Sequence, residues 1–119
     1  MNALTQTRVD VAQALSDAGL TAVAAVPDRL APPFVAVTSG SPYVEDGNTF
    51  NGTLVRLTVR ILCLPGQADV VEEQMDDMIC TVLDALNPNQ WLITVGQPGS
   101  LTVGSGEYPA VDITITKQF

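Results

Sequence analysis

From Thr53 to Leu64 the chain reads TLVRLTVRILCL, and its side chains sort with a period of two. Val55, Leu57, Val59, Ile61 and Cys63 fall on one side, and Leu54, Arg56, Thr58 and Arg60 on the other. That alternation predicts a strand with one face in the core and one mixed face. A second alternating stretch closes the sequence, where Val111, Ile113 and Ile115 interleave with Asp112, Thr114 and Thr116. Between them the period changes. Val71, Met75, Met78, Ile79, Val82 and Leu86 share one stripe at helical spacing, which predicts a helix from Asp69 to about Leu86. Asp69 followed by Glu72 resembles a capping box, with Asp in the usual Ser or Thr place.

An earlier helix is expected from Asn2, as cap, to Gly19, with Leu4, Val11, Leu15 and Ala18 at helical spacing. TAVAAVPDRLAPP then reads as a short strand or extended piece, and Pro32 and Pro33 forbid helix. FVAVTS, from Phe34 to Ser39, reads as a strand. The stretch from Ser39 to Gly52 reads as a long loop, rich in Gly, Asn, Asp, Ser and Pro, with Asp46-Gly47 and Asn51-Gly52 as hairpin signals. WLITVGQ and SLTVGS precede the closing strand. The order is α-β-β-α-β-β, with one further short strand allowed. It predicts one α+β domain over residues 1–119, with two helices on one face of a mainly antiparallel β-sheet. The other face must be wet or meet a partner.

Charge narrows the function. Thirteen acids against five bases give a net charge of −8. The bases, Arg8, Arg29, Arg56, Arg60 and Lys117, are scattered, which argues against a grip on nucleic acid. The acids concentrate in the second helix. Asp69, Glu72, Glu73, Asp76 and Asp77 lie opposite its apolar stripe, joined by Asp84 and Cys80. Like charges at i,i+4, as in Glu72 with Asp76 and Glu73 with Asp77, cost about 0.2–0.5 kcal/mol each. Packing of the apolar stripe outweighs that. A solvated helix face and a surface with a use for its charge both remain open.

Catalytic and metal chemistry find little to work with. The chain has no histidine, so the usual general base and the Ser-His and Cys-His nucleophile pairs are missing. Two cysteines without a CxxC do not make a zinc site, and two free thiols are the plainer reading. The loop acids and amides Glu45, Asp46, Asn48 and Asn51 lack EF-hand spacing. Gly104-x-Gly106 has no third glycine, and no Walker lysine is present. No enzyme activity, cofactor or metal is expected. Neither an export signal nor a membrane span is expected, since the longest apolar run is LTAVAAV.

One block carries a resemblance. APPFVAVTSGSPYVEDGNTF leads into the strand LVRLTVRILCL, a Pro-Gly break, and the acidic helix DVVEEQMDDMICTVLDAL. That succession, specific from Pro32 to Leu86, resembles the tail terminator proteins of long-tailed phages. The resemblance implies a structural virion protein that forms a six-membered ring on the tail tube. Such a ring stops tube polymerisation and presents a docking surface for the head and neck proteins. It implies as partners a tail tube protein and a head/neck connector, with DNA passing through without specific binding. Its place is the head–tail junction of the virion, after assembly in the host cytoplasm. The residues then expected at contacts are Tyr43, Glu45, Asp46, Asn48 and Phe50 in the loop, Arg56 and Arg60 on the strand, and Glu72, Glu73, Asp76 and Asp77 on the helix. The loop is expected to order on docking, with Tyr43 and Phe50 as apolar anchors. The rival classes are a small ligand-binding or regulatory α+β domain, and another neck or head-completion protein.

Overall fold

A computed structural model describes residues 3–24, 33–46, 53–89, 91–103 and 106–118. The elements are α1 (Ala3–Asp17), β1 (Ala22–Val23), β2 (Phe34–Asp46), β3 (Thr53–Leu62), α2 (Ala68–Leu86), a short 3-10 turn (Asn87–Asn89), β4 (Leu92–Val95), β5 (Gly99–Val103) and β6 (Gly106–Gln118). They form an α+β domain in which two helices back one mixed sheet of order β1-β2-β3-β6-β4, with β5 also paired to β6. The expected order needs two corrections. Two strands, β1 and β5, are present beyond the four of that order, which allows one further short strand, and β1 lies in the stretch read as a short strand or extended piece. β1 also runs parallel to β2, whereas the other pairings are antiparallel.

The alternation that predicted β3 is borne out. Val55, Leu57, Val59, Ile61 and Cys63 are buried, and Arg56, Thr58 and Arg60 are half-buried. β3 and β6 pair from Leu54 with Gln118 to Leu62 with Ala110, which aligns their apolar faces in rows such as Val59 with Ile113. Val11, Ala12 and Leu15 of α1 close over this face together with Met75, Met78, Val82 and Leu86 of α2. Both helices therefore serve one core. The opposite face is not uniformly wet: at one end the β5–β6 hairpin brings Leu101 and Tyr108 onto Phe34, Ala36, Leu62 and Ala110.

α1 stops where glycine allows it. Gly19 has φ 100°, and Leu20 N–H donates to Leu15 O at 3.1 Å while Gly19 N–H donates to Ser16 O at 3.0 Å. That is a Schellman closure, and Leu20 then packs onto the core. α2 starts differently from expectation. Gln67 is its N-cap and makes no side-chain cap hydrogen bond, and Asp69 is the second residue of the helix, within its first turn. There it still opposes the helix dipole favourably, but no capping box forms.

The expected loop from Ser39 to Gly52 is also corrected. β2 continues to Asp46, and Val44, Glu45 and Asp46 pair with Val55, Leu54 and Thr53. The turn-rich stretch is instead absorbed as a bulge between Ser39, opposite Leu57, and Val44, opposite Val55. Gly40 is what lets the chain enter that bulge. A Cβ there would stand 2.6 Å from both Cγ and the carbonyl oxygen of Arg56. The molecule is elongated, 49 × 26 × 25 Å. The β2–β3 and β5–β6 hairpins point to opposite ends of the sheet, because β3 and β6 are antiparallel and each hairpin turns at its β3 or β6 start.

Candidate interaction surface on the acidic helix and the open sheet face

The amphipathic pattern of α2 places Glu72, Glu73, Asp76 and Asp77 in solvent while Met75 and Met78 enter the core. The four acids divide between two flanks. Glu73 and Asp77 edge a groove of about 400 Å3 whose other walls are Gly19, Leu20, Thr21 and Pro33, with Val70 and Met78 at its apolar side. Glu72 and Asp76 edge a second groove of about 510 Å3, walled by Val71, Met75, Pro98 and Pro109. Each groove thus pairs an apolar wall with two carboxylates at i,i+4. This arrangement suits a partner segment carrying an apolar side chain and a neighbouring cation. Val70, 58% exposed, is an uncovered apolar contact on the first of these grooves.

The open sheet face carries different chemistry. Arg60 donates from Nε to Asp112 Oδ1 at 2.8 Å and from Nη2 to Oδ2 at 3.1 Å. The two residues face each other across β3 and β6. The hydrogen bonding of Arg60 to the Asp112 carboxylate raises the guanidinium above its ordinary pKa, against an opposing effect of burial. Arg60 is therefore a sheet residue whose charge is matched within the chain, so the strand face is less basic than its sequence suggests. Next to that pair, Thr38, Thr58, Thr114 and Thr94 form one hydroxyl row across β2, β3, β6 and β4. Arg56 lies one row further on, against Gly40 and opposite Thr116.

The loop residues separate. Tyr43 is not an exposed anchor: its ring packs against the main core, with the Arg8 guanidinium 6.0 Å from its centroid. The bulge returns it to the helix-covered side, which the sequence could not show. Glu45 and Asp46 lie on the last residues of β2, whereas Asn48 and Phe50 lie outside the described residues. Sequence reasoning missed Asp112 as the partner of Arg60, because 52 residues separate them. It also missed the exposed apolar pair Leu92 and Val95 on β4, 73% and 40% exposed. Their signal was present as an uncharged run, with no Asp, Glu, Lys or Arg from Ala85 to Gly106.

Both cysteines are free, Cys63 buried and Cys80 exposed. Burial pushes the Cys63 thiol up, and its sulfur lies 3.9 Å from that of Met78. Among the described residues no helix is long and apolar enough to cross a membrane, and no three potential ligands cluster for a metal. No protein-family model matches the chain, and no curated protein matches it in sequence.

Proposed function

We propose that this protein is a structural component of a phage virion, a ring-forming tail terminator that caps the tail tube and offers a docking surface to the head and neck. The observation that carries the reading is the exposed acid stripe of α2, split between two apolar-walled grooves on a firmly packed helix. That is the layout of a surface for meeting other proteins, and it matches the helix on which the family resemblance rests. In this reading the role is assembly and not catalysis, and the partners are further copies of the chain, a tube protein and a connector. DNA would pass a surface that does not hold it, because the exposed acids repel phosphate.

The ligand-binding alternative has one feature in its favour, the groove beside Met75, whose apolar wall would take a small hydrophobic molecule. The deciding experiment adds the protein to polymerising tail tube protein and images the tubes. Tubes of arrested length bearing a ring at one end are expected. Tubes that grow as if the protein were absent would overturn the proposal.

A further inference from the structure

The sheet ends in two edges whose chemistry is unusual for so acidic a chain. On one side β4 is the last described strand, and LITV carries no charge, no proline and no bulge. These are the devices by which edges are normally protected from pairing. On the other side β1 covers only Val35 and Ala36 of β2, and no described strand lies beyond Val37. There too the sequence is uncharged, from Phe34 to Val44. In a molecule of net charge −8, these two edges are, among the described residues, where a second copy can approach edge segments that carry no carboxylates of their own.

The hydrogen-bonding directions of the two edges match. Gly96 N–H donates inward to Asp112 O at 2.8 Å, so strand alternation aims the backbone groups of Ile93 and Val95 outward. Val35 N–H donates away from β3 to Thr21 O at 2.8 Å, so the same alternation aims Val37 and Ser39 outward. The rows also match. Val95 pairs through Ile113 and Val59 with Val37, and Ile93 through Ile115 and Leu57 with Ser39. β4 runs antiparallel to β2, because the intervening pairings are all antiparallel.

We infer that copies of this chain join edge to edge, β4 of one adding antiparallel to the open edge of β2 in the next. In that register Val95 faces Val37, Thr94 faces Thr38 and Ile93 faces Ser39. The outward groups of Ile93 and Val95 close two hydrogen-bonded pairs with Ser39 and Val37, the hydroxyl row continues from one copy to the next, and the exposed flank of Val95 is covered. Leu92 comes to Gly40, beside the stem of the Arg56 side chain that lies against that glycine. The contact is head to tail, so it propagates, into a ring where the rotation closes and into an open filament where it does not. The six-membered ring rests on the tail-terminator reading, whereas the pairing itself rests on the edges.

The test uses the full chain with Cys80→Ser, so that the exposed native thiol is silent. Thr38→Cys and Thr94→Cys are introduced together and singly, and the proteins are mildly oxidised. Thr38 and Thr94 would form the non-hydrogen-bonded pair of the contact, with Cα atoms about 4.5 Å apart, within disulfide reach. Within one copy they lie three strand spacings apart, about 14 Å, and cannot bridge. A ladder of linked copies from the double variant alone is expected. Val95→Pro deletes an outward N–H that no described strand uses, so it should leave circular dichroism unchanged and weaken association about tenfold or more in sedimentation. A disulfide-linked dimer from Thr94→Cys alone would mean two-fold β4 pairing and overturn the inference. So would a chain that stays monomeric at every concentration, or assembly that neither links nor responds to Val95→Pro. Tube capping is scored separately. Capping without a ladder refutes the edge contact and spares the function, and a ladder without capping does the reverse.

Discussion

Reversing one charge on the open sheet face tests whether Arg60 belongs to the fold or to a contact. Arg60→Asp removes two hydrogen bonds to Asp112 and sets a carboxylate against a carboxylate. The side chains are 31% and 47% exposed, so water screens the pair and the low-dielectric limit does not apply. Losing such a pair costs about 0.5–1 kcal/mol, at the upper end because both guanidinium bonds are made. Two like charges at about 4 Å in a nearly aqueous setting add about 1 kcal/mol. The single reversal should therefore destabilise by about 1.5–2 kcal/mol, or roughly 5–10 °C in Tm for a domain of this length. Asp112→Arg alone should cost a similar amount. Combining the two restores the pair with its charges exchanged, and most of the loss should return, within about 0.5 kcal/mol after β-propensity effects. Urea unfolding of the four proteins gives the coupling energy directly, and repeating it at about 1 M salt should shrink that energy. Single reversals that leave stability unchanged, or a double variant no better than their sum, would refute the in-sheet role. A stable double variant that no longer assembles would return Arg60 to the interface.

Other parts of the molecule yield shorter tests. Gly40→Ala should destabilise by about 1–3 kcal/mol, because its Cβ meets backbone atoms of Arg56 and these cannot step aside; thermal unfolding checks it. Asp76→Asn with Asp77→Asn should raise stability by about 0.2–0.5 kcal/mol for each relieved pair, an effect that fades with salt, and should weaken tube capping if the grooves bind. Leu86→Ala, at a fully buried position, should cost about 2–5 kcal/mol in urea unfolding. The Cys63 thiol has a folded pKa above its unfolded one, so the unfolded chain ionises first. Its contribution is fully present below the ordinary thiol range and is lost as pH rises through and above it, and Cys63→Ala should flatten that slope. In thiol titration Cys80 should react at once, and Cys63 only on unfolding.

Much of the fold was legible because two periodicities were clean. The alternation of β3 and the helical stripe of α2 each report one buried face. Val55, Leu57, Val59, Ile61 and Cys63 are buried as read, and of the α2 stripe Met75, Met78, Val82 and Leu86 are buried while Val71 and Ile79 are half-buried. Gly19 was legible for a local reason, since only a left-handed residue ends α1 so abruptly. What stayed hidden was set by distant partners. Gly40-Ser41-Pro42 has the chemistry of a turn, yet β3 offers enough edge for β2 to swallow it as a bulge and continue. That bulge also decided the fate of Tyr43, which reads as a loop aromatic and is a half-buried residue packed against the core. β1 falls within the stretch read as a short strand or extended piece, but at two residues it has no pattern that shows its partner or its parallel direction. Arg60 reads as a surface base because its partner belongs to another strand. The acid stripe was visible as charge, but its division into two groove rims needed the neighbouring turn and the β5–β6 hairpin to be in place.

The strand order also sets when the domain can exist during synthesis. β6 lies between β3 and β4, and its pairs with β3 join residues such as Leu54 and Gln118. Until β6 has emerged from the ribosome, β2 and β3 can form only a hairpin, and β4 and β5 have nothing to pair with. The apolar stripe of α2 has half a floor for all that time. Closure is therefore late and non-local, which favours slow folding and a long exposure of the uncharged strands. The edges inferred to join finished copies are then the same segments most open to premature pairing between nascent chains.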